Sequence, residues 1–88
     1  MKRWKLINII INYIYHDNIY LMSPFIDWDL MNMLDNHFKD NYQKVRPVLL
    51  IWQEKGYITL VEDNEVLFIF HPEKLPTKQD LTNLSNNI

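Results

Sequence analysis

The sequence predicts an α+β domain: three helices, then an antiparallel β-hairpin, then a short tail. Three observations carry this expectation. Apolar residues recur at helical spacing in segments between residues 4 and 55. Two runs rich in β-branched and aromatic residues follow within 57–70, separated by the turn-forming pair Asp63-Asn64. Between the two patterns stands Gly56, the single glycine of the chain.

At 88 residues the chain is expected to form one domain with one core, spanning 1–76, and a loosely structured tail over 77–88. Hydrophobic residues at 48% and aromatics at 14% place it among globular rather than disordered sequences. The absence of cysteine excludes disulfide staples and thiolate zinc sites. The basic start and apolar run of "MKRWKLINIIINYIYH" are interrupted by Asn8 and Asn12, and no small-residue cleavage site follows. No uninterrupted apolar stretch approaches the roughly 20 residues that cross a bilayer. The expectation is a soluble, cytoplasmic protein.

The first helix is "WKLINIIINYIYH", although its isoleucines would also suit a strand. "NIYLM" (18–22) reads as a short extended connector. "SPFIDWDLMNMLDNHF" (23–38) reads as the second helix, with Ser23 or Asp27 capping it and Asp27 and Asp29 near the positive end of its dipole. Its inward residues are expected to be Leu30, Met33, Leu34 and Phe38. "KDN" (39–41) is the turn before the third helix. In that helix Val45, Val48, Leu49 and Trp52 share one face at i, i+3, i+4 and i+7. Pro47 is tolerated only near the helix start, because the earliest amides have no intrahelical partner. The helix is therefore expected to begin near Tyr42 to Lys44, a later start at Pro47 remaining open. Gly56 supplies the left-handed residue that ends it. Strands over 57–61 and 66–70 follow, with a connection wider than two residues, since a two-residue loop would set Glu62 opposite Glu65. In the tail, Thr77 and Asp80 form a capping-box pattern, enough for a helical turn or two.

The stretch "YQKVRPVLLIWQEKGYITL", a helix passing through a Gly-aromatic-Ile step into a hairpin, resembles the winged helix-turn-helix superfamily. The likeness covers roughly residues 4–71 and implies a winged-helix fold: three helices with a C-terminal β-hairpin wing. It also implies nucleic-acid binding, with the third helix in the major groove and the wing on the flanking backbone. Non-enzymatic DNA binding follows as the expected function, in a small regulator or an accessory subunit of a replication or mobile-element complex.

Charge supports this only locally. The chain carries a net charge of −2, but residues 39–55 set Lys39, Lys44, Arg46 and Lys55 against Asp40 and Glu54. Lys2, Arg3 and Lys5 make the N-terminus basic. Gln43, Arg46, Leu50, Gln53 and Glu54 lie opposite the core face of helix three. Candidate DNA contacts are Lys39, Tyr42, Gln43, Lys44 and Arg46: glutamine matches adenine, arginine matches guanine or phosphate, and Tyr42 could stack on an unpaired base. DNA, double- or single-stranded, is the expected ligand. Against this, the wing tip "EDNE" places Glu62, Asp63 and Glu65 where phosphate would be repelled.

A protein partner is the other expectation. The apolar set of helix one covers roughly 200° of its circumference, against the ~100° a one-sided helix needs. In the second strand Val66, Phe68 and Phe70 face one way, Leu67 and Ile69 the other. Ile7, Ile10, Ile11, Ile14, Leu67 and Ile69 are therefore candidates for an interface with a second copy or a larger protein. The competing account is that helix one, hairpin and tail cover one another.

Catalysis is not expected. His16, His37 and His71 lack metal-motif spacing, and the acidic pair in "DWD" (27–29) suits a helix start. Ser23 and Ser85 sit in no nucleophile context, and one glycine cannot build a phosphate loop. No cofactor, metal or small-molecule ligand is implied. The alternative function is a protein-interaction module or small inhibitor with little DNA affinity.

Overall fold

The computed structural model describes residues 2–23, 41–63 and 66–88, and the backbone of 25–27. It is α+β. Helix α1 (Arg3–Tyr15) leads through a 3₁₀ turn (His16–Asn18) into the single-turn helix α2 (Ile19–Met22) and strand β1 (Phe25–Asp27). Helix α3 (Tyr42–Glu54) is followed by strands β2 (Ile58–Glu62) and β3 (Val66–Phe70), and helix α4 (Lys78–Asn86) closes the order. The expected interior of helix two, with Leu30, Met33, Leu34 and Phe38, lies outside the described residues, as does Lys39.

Leu6, Ile7, Ile10, Ile11 and Ile14 repeat at helical spacing, and each is at most 1% exposed. Helix α1 packs against α2, α3 and α4, which is why so wide an apolar arc is needed. This corrects the expectation that Ile7, Ile10, Ile11 and Ile14 form an interface: the chain's own helices cover them. After Tyr15, Asp17 and Asn18 adopt φ of 52° and 54°, the left-handed region that Asp and Asn tolerate best. That pair breaks the helix and redirects the chain. The ring of Tyr20 then meets Tyr15 edge-on at 5.3 Å. The Tyr15 hydroxyl donates to the carbonyl of Pro76, and burial pushes its pKa up to about 12.

Two boundaries differ from expectation. Residues 19–22 are a helical turn, and the short strand comes later, at 25–27, inside the stretch expected to be helix two. Ser23 explains the shift: it precedes a proline, which disfavours the α region, and it is extended at φ −132°, ψ 109°.

Helix α3 buries Val45, Val48, Leu49 and Trp52, the face its spacing predicts. It begins at Tyr42, so Pro47 falls beyond the first turn. The carbonyl of Gln43 thereby loses its i+4 amide donor. Gly56 ends the helix at φ 83°. Its amide bonds to the Gln53 carbonyl at 3.0 Å, and the Tyr57 amide to Trp52 at 2.9 Å, the paired closure of a Schellman motif.

The strands form a three-stranded antiparallel sheet ordered β1-β3-β2. Ile58 pairs with Phe70, Leu60 with Phe68 and Glu62 with Val66, so the partner of Glu62 across the ladder is Val66. Phe68, Phe70 and Ile58 are buried on the inner face. Leu67 and Ile69 are half-buried on the other, as the strand pattern predicts. Strand β3 is central, with β1 and β2 along its two edges, and its second face leaves Leu67 and Ile69 only half-buried.

Residues 77–88 are not a loose tail. Thr77 caps α4, its hydroxyl accepting the Asp80 amide at 3.2 Å. Leu81 is fully buried, and the buried Ser85 hydroxyl accepts the indole N–H of Trp52 at 3.0 Å. An amphipathic nine-residue helix gains its order from this docking rather than from intrinsic propensity. No helix among the described residues is long and apolar enough to cross a membrane.

Candidate nucleic-acid interface

The start of α3 brings together Tyr42, Gln43, Lys44 and Arg46, four of the five sequence-predicted contact residues. The helix is anchored in the core by Val45, Val48 and Leu49, on the side opposite Gln43 and Arg46. Gln43 and Lys44 are exposed, while Tyr42 and Arg46 are half-buried. Gln43, Arg46 and Leu50 fall at i, i+3 and i+7 on one face, with Leu50 half-buried. Lys39 lies outside the described residues.

Arg46 and Tyr42 converge on one acceptor, Glu62 at the end of β2. Arg46 donates Nε–H to Glu62 Oε2 at 2.8 Å and Nη2–H to Oε1 at 2.9 Å, a two-pronged pairing. The Tyr42 hydroxyl donates to the same Oε2. A turn of helix separates Tyr42 from Arg46, so both reach the carboxylate as the hairpin folds against α3. The electrostatics follow from this contact. Glu62 is held below the usual carboxylate range, first by the Arg46 hydrogen bonds and then by Tyr42. Arg46 is held more firmly protonated by the same carboxylate. The Tyr42 phenol is raised, chiefly by burial and next by its bond to Glu62.

Glu62 is the residue that sequence reasoning misplaced. Its position in "EDNE" suggests a carboxylate that repels phosphate; the structure makes it a tie between hairpin and helix. The signal was the sign match between Arg46 and Glu62, but their 16-residue separation conveys proximity only once the turn at Gly56 folds the strand back. Gln53 forms a second tie, its Oε1 accepting the Leu60 amide at 2.8 Å and covering part of the β2 edge.

Elsewhere the basic N-terminus is partly engaged. Arg3 donates to the Ile88 carbonyl at 2.7 Å, and Lys5 Nζ lies 5.8 Å from the centroid of the Trp4 ring. Large apolar exposure is found at Trp4 (52%), Leu21 (61%) and Met22 (75%). Of the remaining interface candidates, Leu67 and Ile69 share their half-buried face with Thr59 and Val61. The half-buried His71 is hydrogen-bonded through Nε2 to the Thr59 hydroxyl at 2.8 Å, and the exposed His16 lies 3.3 Å from Asp17. No three His, Asp or Glu side chains among the described residues are grouped as a metal site requires.

Compared with protein-family models, curated proteins and solved structures, the chain matches none.

Proposed function

We propose that the chain is a winged-helix, non-enzymatic nucleic-acid-binding protein, a small regulator or an accessory DNA-binding subunit of a larger complex. The observation that carries this reading is the start of α3. A helix anchored through its inner face presents Gln43 and Lys44 to solvent and Arg46 beside them. It passes directly into a hairpin that stays tied to it. The element order supports the same reading: a helix, a short strand paired with β3, and a later helix leading into the β2–β3 hairpin. Lys44 and Arg46 engage phosphate, and Gln43 reaches a base edge. No cofactor is required.

A second reading, a protein-interaction module with little DNA affinity, is favoured by two observations. Glu62 holds the arginine that DNA would use, and Trp4, Leu21 and Met22 are exposed. A dimer through the α1 isoleucines has no place in either reading, since they are internal.

Fluorescence anisotropy with labelled duplex and single strand at low salt separates the two. On the DNA reading the wild type binds, affinity falls steeply with salt, and Lys44→Glu weakens it about ten-fold while lowering the salt slope by about one. Negligible affinity for both forms, unchanged by Lys44→Glu, favours the protein-interaction module.

A further inference from the structure

The carboxylate of Glu62 occupies the part of α3 that would receive a phosphate. Arg46 grips it with Nε and Nη2 at 2.8 and 2.9 Å, and Tyr42 adds a hydroxyl. A guanidinium offers this same two-pronged edge to a phosphodiester. The carboxylate arrives on the hairpin, so every free molecule carries its own anion at this fork. The side chains of Arg46 and Glu62 are 39% and 32% exposed. An ion pair this open is weakly held, is screened by salt, and can be exchanged for another oxyanion without unfolding the domain.

We infer that Glu62 is an internal competitor for nucleic-acid phosphate: it fills the Arg46–Tyr42 fork in the free protein and is displaced when a phosphodiester backbone docks on α3. This rests on the nucleic-acid reading of α3. Its consequence is a restrained binder. Casual contact with any polyanion meets a neutralised arginine, and Arg46 adds to affinity only when a phosphate is placed well enough to replace the carboxylate.

The test is a double-mutant cycle. Wild type, Glu62→Gln, Arg46→Ala and the double variant are titrated by anisotropy against one labelled duplex of about two helical turns, across a salt series. Circular dichroism confirms that each variant is folded, and Glu62→Ser replaces Glu62→Gln if the latter is not. Glu62→Gln is expected to raise affinity about five-fold and to steepen the salt slope by about one, because Arg46 then neutralises a phosphate. Arg46→Ala is expected to cost less than about two-fold in the wild type and about ten-fold in the Glu62→Gln background. Binding by Glu62→Gln alone, with none by wild type, also supports the inference. If the wild type binds in a Lys44-dependent way while Glu62→Gln binds no tighter, or if Arg46→Ala costs the same in both backgrounds, the inference is overturned and the nucleic-acid reading stands. If neither wild type nor Glu62→Gln binds DNA at low salt, both are overturned.

Discussion

Gly56 is where a single residue decides the local path of the chain. Its φ of 83° lies where a Cβ is strained, and a Cβ built there would sit 3.0 Å from Lys74 Cδ. The neighbouring atom belongs to a flexible side chain, so backbone strain dominates the cost. Gly56→Ala is expected to destabilise the fold by about 1 kcal/mol in urea titration; an unchanged midpoint contradicts the left-handed cap. Glu62 is the second decisive residue. Its carboxyl is held below the ordinary value in the folded state, so its contribution to stability is fully present above the unfolded value near ~4.3. That contribution is lost as pH falls through the lowered folded value. The stability gap between wild type and Glu62→Gln should therefore be constant above about pH 5.5 and close on further acidification. Parallel curves down to acid pH would show that the tie contributes nothing in solution. The role of Gly56 was legible from one glycine between two periodicities. That of Glu62 was not, because a charge at a strand end reveals its partner only after strand and helix are folded together.

Among the elements, α3 and the hairpin were legible because each carries a clear pattern: period 3.6 to Trp52, then two β-branched and aromatic runs either side of the turn-forming Asp63-Asn64. Residues 18–27 were not. Their apolar content suits helix and strand equally, and the left-handed Asp17-Asn18 pair and the proline after Ser23 settled the boundaries. Helix α4 shows how tertiary contact overrides a weak local signal. Its sequence is polar and its apolar stripe short, yet Leu81 enters the core and Ser85 satisfies the Trp52 indole. Leu81→Ala is expected to cost about 2–5 kcal/mol by thermal or urea unfolding. Ser85→Ala, which leaves a buried N–H without its acceptor, should cost about 1–3 kcal/mol. Both follow from α4 belonging to the cooperative unit; a loss below about 0.5 kcal/mol in each would make it a frayed appendage.

For the whole molecule, the central fact is that α1 buries its wide apolar face within the chain. An 88-residue chain has little volume in which to hide a helix so apolar, and the sequence alone left two solutions: an external partner or internal cover. The chain adopts internal cover, with α2, α3 and α4 packed against α1. That places Ile7, Ile10, Ile11 and Ile14 in the core and leaves Gln43 and Lys44 exposed at the start of α3. Gln43, Arg46 and Leu50 were thus legible as one helix face, while the coupling of Arg46 to the hairpin was not. The most direct test is a two-dimensional ¹H–¹⁵N titration of the labelled protein with duplex DNA at low salt. The account predicts amide shifts concentrated at residues 42–50 and at the hairpin end around Glu62, with the Arg46 side-chain Nε–H moving as its partner changes. Shifts confined to α1, α2 and α4, or none at saturating DNA, would contradict it.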